Sequence, residues 1–100
     1  MSEATIVHLV VHGRVQGVGY RAFVEREALA RALQGWVRNR RDGTVEVVLA
    51  GEAALIDDVI AACRRGPFGA RVEAIQRTTG SASLMKERGP GQAFSVLPTI

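Results

Sequence analysis

The chain has 100 residues, 47% of them hydrophobic, which predicts one domain over residues 1–100 with enough apolar surface to fold without disulfides or metal. A net charge of +3 favours anionic ligands. One cysteine excludes an internal disulfide, and with two histidines it forms no zinc pattern, so no cofactor is expected. The sequence lacks a membrane-length apolar run and a secretion signal, so we expect a soluble, cytoplasmic monomer without a membrane partner.

Residues 5–12 alternate between two faces, as a β-strand with one buried side does. Val7, Leu9 and Val11 are predicted to face the core. His8 and His12 fall on the opposite, open face. A ligand or catalytic role for these histidines is the less favoured interpretation, because the motif supplies no partner carboxylate or cysteine.

A glycine-rich turn at residues 13–20 joins this strand to a helix predicted over residues 20–33, which Gly35 is expected to end. Its glycines permit positive φ and leave backbone N–H groups unshielded, and the start of the helix adds further donors. Such a turn binds anions, phosphate above all, although a turn that binds nothing has the same composition. The spacing matches neither a Walker A loop nor the dinucleotide-binding fingerprint.

Arg21 lies in the first turn of that helix and adds a permanently charged, planar group that matches phosphate oxygens. Helical spacing puts it on one face with Val24, Ala28 and Ala32, and this face is predicted to look at the sheet. An arginine in that position needs either an anion or a route to solvent.

The rest of the chain predicts strands at residues 36–39 and 44–50, a helix at 52–65, a strand at 70–78, a loop at 80–91 and a short strand at 93–97. In the second helix Ile56, Val59, Ile60 and Cys63 form a core stripe. Cys63 is therefore interpreted as a small buried hydrophobe rather than as a nucleophile.

Two loops can join the second and third strands: a two-residue Asp42-Gly43 hairpin, or a three-residue loop with Gly43 in the left-handed conformation. The register favours the three-residue loop. It pairs Arg40 with Thr44 and therefore puts Asn39 on the face that the valines of the third strand share.

The order β-α-β-β-α-β plus a last strand is typical of the α+β class and predicts the ferredoxin-like split sandwich. This fold has a mainly antiparallel sheet, two helices on one face and, here, a short C-terminal edge strand. The first two strands run parallel with the third between them, so Gly13 and Asn39 should lie about 10 Å apart at one edge. The glycine-rich turn, Arg21 and Asn39 are therefore predicted to converge on one pocket.

Three segments resemble the acylphosphatase family: residues 13–21 (GRVQGVGYR), 35–39 (GWVRN) and 42–46 (DGTVE). Residues 66–67, 70–72 and 94–96 continue the resemblance, whereas residues 80–92 match no family pattern. Arg21 falls where the family has its phosphate-binding arginine, and Asn39 falls where it has its water-positioning asparagine. Tyr20 stands where the family often has phenylalanine.

The resemblance implies an enzyme that hydrolyses acyl phosphates to a carboxylate and inorganic phosphate, without metal, by in-line attack of water. Arg21 and Asn39 are the implied catalytic residues, and the phosphoryl oxygens would be held by Arg21 and by backbone amides of six residues: Val15, Gln16, Gly17, Val18, Gly19 and Tyr20. The expected partner is a small acyl phosphate, with inorganic phosphate or sulfate as a further ligand.

Two other functions are compatible with parts of the pattern. A nucleic-acid-binding sheet is disfavoured, because the third strand has no aromatic residue and carries Glu46 on its open face. A module that binds an acyl or carbamoyl phosphate without turnover would keep the glycine-rich turn and Arg21. Such a module need not keep Asn39, so its presence favours turnover.

Overall fold

The computed structural model describes residues 4–100. Its elements, in chain order, are β1 (Thr5–Arg14), α1 (Tyr20–Ala30), β2 (Gln34–Asn39), β3 (Val45–Gly51), α2 (Ala53–Arg65), β4 (Arg71–Thr79), a 3-10 helix (Ala82–Glu87) and β5 (Phe94–Val96). This is the predicted β-α-β-β-α-β order followed by a short strand, so the ferredoxin-like α+β class is confirmed.

The strands form one five-stranded sheet in the order β4-β1-β3-β2-β5. Both β1 and β2 pair antiparallel with β3, so they run parallel to each other, and β5 pairs parallel with β2 at the edge. Val11 of β1 and Asn39 of β2 both pair with Val45. The carboxyl ends of β1 and β2 therefore meet at one edge of the sheet, as the sequence predicts.

The loop between β2 and β3 has the predicted three-residue register. The backbone N–H of Arg40 donates to the carbonyl of Thr44 at 2.9 Å, and Gly43 supplies the positive φ of 93°. One carboxylate oxygen of Asp42 accepts hydrogen bonds from the backbone N–H and the hydroxyl of Thr44. This turn fixes which face of β2 Asn39 occupies.

The first helix ends earlier than the sequence predicts, at Ala30 rather than near residue 33. Ala32 takes a left-handed φ of 56°, and its N–H donates to the carbonyl of Leu29. The N–H of Leu33 donates to Ala28, which completes a Schellman C-cap. Gly35 is not the helix stop. It lies in β2, where a Cβ would come within 1.8 Å of the Val48 carbonyl oxygen.

We expect Ala32→Gly to raise the free energy of unfolding by about 0.5 kcal/mol or more, because left-handed alanine costs more than the extra chain entropy that glycine loses on folding. Urea unfolding measures the change. Ala30→Gly is the matched control, since Ala30 is exposed at the last helical position and its replacement should destabilise. A lower free energy of unfolding in Ala32→Gly would contradict the inference that the left-handed conformation of Ala32 is strained.

The core lies between the helices and one face of the sheet. The predicted α2 stripe of Ile56, Val59, Ile60 and Cys63 is buried there. Burial raises the pKa of the Cys63 thiol to about 11, so this group stays protonated at neutral pH. The interpretation of Cys63 as a buried hydrophobe is therefore confirmed.

The opposite face of the sheet is partly covered by the segment predicted to be a loop at residues 80–91. Within it, residues Ala82–Glu87 form a 3-10 helix. The indole N–H of Trp36 donates to the carbonyl of Leu84 at 2.7 Å, and the Trp36 side chain is fully buried. A sequence without periodicity therefore becomes ordered by contacts with β2.

The carboxylate of Glu46 is the centre of an ionic cluster on the same face of the sheet. Its Oε1 accepts a hydrogen bond from Arg38 (2.7 Å), and its Oε2 accepts one from Arg40 (2.8 Å) and lies 2.6 Å from the His8 ring nitrogen. His8 thus has a carboxylate partner that the sequence motif did not supply. The cluster lies across the sheet from Asn39, so it stabilises the fold and not the cleft described below.

This cluster predicts a loss of stability in acid. Burial disfavours the ionised form of Glu46, but hydrogen bonds from Arg40, His8 and Arg38 outweigh it and lower the pKa from 4.5 to about 2. The stabilisation is complete above the ordinary pKa and disappears as pH falls from about 4.5 to about 2. Urea unfolding across this range should show that the free energy of unfolding of the wild type falls as the pH falls. Glu46→Gln should lack this slope.

The control for the acid prediction is Asp57→Asn. Asp57 pairs with Arg77 at 2.9 Å on the surface, with its side chain 61% exposed. Such pairs contribute little to stability, so this variant should keep the wild-type slope. Equal slopes in wild type and Glu46→Gln would contradict the role given to Glu46.

Candidate active site

A cleft of about 310 Å³ opens at the edge where β1 and β2 end. It is lined by Val15, Gln16, Gly17, Gly19, Tyr20, Arg21, Ala22, Glu25, Asn39 and Val96. The structure therefore brings together the glycine-rich turn, Arg21 and Asn39, as predicted. Of the predicted phosphate-binding residues, Val18 does not line the cleft; its side chain packs against the core.

The glycine-rich turn presents backbone donors to this cleft. Gly17 and Gly19 have φ of 73° and 77°, and a Cβ added at either would meet nothing within 4 Å. Within residues 4–100, the N–H groups of residues 16–21 donate to no protein acceptor, and the first bond of α1 runs from Phe23 to the Gly19 carbonyl. Free N–H groups at the start of a helix bind anions.

The turn is shorter than the sequence predicts. β1 continues through Arg14, and Gly13 sits at an irregularity in its pairing with β4. A Cβ at Gly13 would come within 2.1 Å of the Arg71 carbonyl oxygen, so this glycine serves a close approach of two strands. Gly13 does not line the cleft.

Arg21 is half-buried at the start of α1. Among the described residues, no carboxylate lies within ion-pair distance of it, and its side chain makes no hydrogen bond. Val24 and Ala28 of the predicted sheet-facing stripe are buried, but Ala32 lies beyond the end of the helix and is exposed. The guanidinium is thus a cation of the cleft that has no counter-ion among the residues the structure describes.

Asn39 is 9% exposed and reaches the cleft from the last position of β2. Its Oδ1 is buried without a hydrogen-bond partner, the one such side-chain atom among residues 4–100. Leaving a buried acceptor unpaired costs about 1–3 kcal/mol, so a fold under selection for stability alone would not keep it. The side chain is instead available to a molecule in the cleft.

Gln16 has a positioning role that sequence reasoning missed. Its side-chain amide donates to the carbonyls of Arg40 and Thr44, at 2.8 and 2.9 Å. These two carbonyls belong to the turn that follows Asn39, so the bonds hold the glycine-rich turn and Asn39 in a fixed relation. The contact spans residues far apart in sequence, and no local pattern could have shown it.

Tyr20 contributes to the cleft through its backbone rather than through its ring. The side chain is 1% exposed, and its hydroxyl donates to the carbonyl of Cys63 at 2.9 Å. Burial raises the pKa of this phenol, so it stays a neutral hydrogen-bond donor. The bond ties the first residue of α1 to the last turn of α2.

Comparison with known proteins places the chain in a family. The acylphosphatase family model matches residues 7–88. The chain belongs to the acylphosphatase family. A curated acylphosphatase from Rhodopseudomonas palustris (strain BisB18) is 55% identical over 98 residues, covering 97% of this chain and 99% of the relative.

Solved acylphosphatases share the fold. The structure from Bacillus subtilis has 35% identity and a TM-score of 0.79, covering 92% of this chain and 97% of that one. The structure from Coxiella burnetii has 30% identity and a TM-score of 0.82, covering 95% and 94%. The predictions of an acylphosphatase enzyme and of its fold are confirmed.

None of the helices within residues 4–100 is long and apolar enough to cross a membrane. The same residues contain no group of three or more histidine, cysteine, aspartate or glutamate side chains arranged to hold a metal ion.

Proposed function

We propose that this acylphosphatase hydrolyses small acyl phosphates by direct, in-line attack of water, without a metal ion. The backbone N–H groups of residues 15–20 and the guanidinium of Arg21 hold the phosphoryl oxygens, and Asn39 positions the water. The observation that carries the proposal is the buried, unpaired Oδ1 of Asn39 on the same cleft as the unpaired N–H groups.

The reaction requires few protein groups beyond these. Phosphoryl transfer depends mainly on positioning and on stabilising charge on the phosphoryl oxygens. Donors fixed in advance by a strand, a turn and a helix start need no reorganisation as the charge develops. As water forms the new bond to phosphorus, the bond to the carboxylate breaks and the water's proton passes to a phosphoryl oxygen. A carboxylate is a weak base and leaves without protonation by an acid, so no general acid or base is assigned.

Asn39 supplies the acceptor for the attacking water. A water that donates one hydrogen bond to Oδ1 has its position fixed relative to the phosphorus atom, because Gln16 fixes the turn after Asn39 relative to the phosphate-binding residues. Holding two reactants in the attacking geometry removes much of the entropic barrier.

The test is release of inorganic phosphate from benzoyl phosphate by the purified protein, with and without EDTA and a thiol-blocking reagent. We expect turnover that neither reagent alters, because the mechanism uses no metal and the Cys63 thiol is fully buried. Phosphate that raises the melting temperature without any turnover of benzoyl phosphate would indicate a binding module instead. Chelator-sensitive activity, restored by a divalent ion, would contradict the metal-independent mechanism.

A further inference from the structure

Glu25 lines the same cleft and has no part in the proposed mechanism. It lies four residues after Arg21 on α1, which places it on the same helical face about 6 Å further from the phosphate-binding turn. The residue is half-buried. Among residues 4–100 its carboxylate makes no ion pair and no hydrogen bond.

Among the described residues, the cleft wall thus carries one cation and one anion, although its proposed ligand is a phosphate. Two unit charges of like sign that lie several ångströms apart in a partly desolvated cleft repel each other more strongly than they would in water. A carboxylate at this position weakens phosphate binding, and the missing ion pair with Arg21 shows that it does not serve to hold the arginine. Its charge is therefore free to interact with another part of a ligand in the cleft.

The lining residues that the proposed phosphate site does not use indicate which part of the ligand Glu25 faces. Once the residues of the turn, Arg21 and Asn39 are assigned to the phosphoryl group and the water, the remaining lining residues are Ala22, Glu25 and Val96. Ala22 and Val96 are small and apolar, and Val96 is 42% exposed on the edge strand β5. These three residues form an acyl-side wall with two apolar side chains and one negative charge.

We propose that Glu25 is a specificity-determining residue that selects the charge of the acyl group. It disfavours acyl phosphates whose acyl part carries a carboxylate and favours those whose acyl part is cationic or donates hydrogen bonds. The inference rests on the proposed function, because it takes the phosphoryl group to lie at the turn and Arg21.

The experiment compares three rigid substrates: 4-carboxybenzoyl phosphate, benzoyl phosphate and 4-(trimethylammonio)benzoyl phosphate. The substituents change intrinsic reactivity, so the quantity measured is the ratio of kcat/KM for the anionic to the cationic substrate in each enzyme. We expect Glu25→Gln to raise this ratio by about tenfold or more at low salt, and by less at 1 M KCl, where charges are screened.

Glu27→Gln is the matched control. Glu27 lies on the same helix, does not line the cleft and sits 3.6 Å from Arg31. Its replacement should leave the ratio within about twofold of wild type, because Glu27 lies outside the cleft and its charge is paired with Arg31. If Glu27→Gln changed this ratio as much as Glu25→Gln does, the effect would come from the overall charge of the protein, and the assignment would be overturned.

Two further results would also overturn it. The first is a ratio in Glu25→Gln within twofold of wild type. The second is an equal fall in kcat/KM for all three substrates, which would make Glu25 a positioning residue for Arg21. If wild type does not hydrolyse neutral benzoyl phosphate, the proposed function fails, and the charge preference is then measured by the affinities of the corresponding benzoylphosphonates, which bind without turnover.

Discussion

Arg21→Ala is expected to lower kcat/KM for benzoyl phosphate by about a thousandfold, on the scale of losing a charged donor aimed at the transition state. Among residues 4–100, Arg21 is the one cationic side chain on the cleft wall, and no carboxylate of these residues pairs with it. Its removal therefore leaves no buried anion unpaired, and the variant should fold. Steady-state kinetics and circular dichroism provide the two measurements.

Arg26→Ala is the matched control for this variant. Arg26 lies on the same helix, is exposed and is absent from the cleft. It carries the same charge, so its replacement changes net charge equally while leaving the proposed site intact. A folded Arg21→Ala enzyme with kcat/KM close to that of Arg26→Ala would refute the phosphate-binding role.

Asn39→Ala is expected to lower kcat by about a hundredfold or more while phosphate affinity changes little, the mark of an interaction made mainly in the transition state. The free energy of unfolding should stay within about 1 kcal/mol of wild type, because the variant removes an acceptor that has no donor among residues 4–100. Kinetics and urea unfolding measure the two effects separately.

Thermal shifts by phosphate separate the roles of the two residues. A ligand that binds only the folded state raises the melting temperature by mass action. Phosphate should do so for wild type and Asn39→Ala, and much less for Arg21→Ala. Should Asn39→Ala lose the phosphate shift as completely as Arg21→Ala, Asn39 would be a phosphate ligand and its role with water would be wrong.

The sequence predicted the topology because several local signals agreed. The alternation at residues 5–12, the α2 stripe and the turn at Gly43 each specified one element, and the register of that turn fixed the face of Asn39. Convergence of the glycine-rich turn with Asn39 then followed from the rule that strands joined through a helix run parallel. Each of these inferences uses only residues that are close in sequence, together with one topological rule.

The features that the sequence missed depend on contacts between distant residues. Ala32 takes the left-handed conformation just beyond the end of α1 and Leu33 is buried in the core, although alanine gives no signal for a left-handed conformation. The carbonyl partners of Gln16 and the place of Val96 on the cleft appear only when the sheet is assembled. Glu25 was within reach of sequence reasoning, since a position four residues after Arg21 shares its helical face.

The buried indole of Trp36 has a practical consequence for optical experiments. It is the single tryptophan of the chain, and it packs on the face of the sheet that carries the Ala82–Glu87 helix, with the Arg38 guanidinium 4.6 Å above its ring. The cleft opens on the side where Asn39 points, so intrinsic fluorescence reports whether the Ala82–Glu87 segment is docked rather than whether the cleft is occupied. Emission during chemical unfolding would register release of that segment as a distinct event if it separates before the sheet melts.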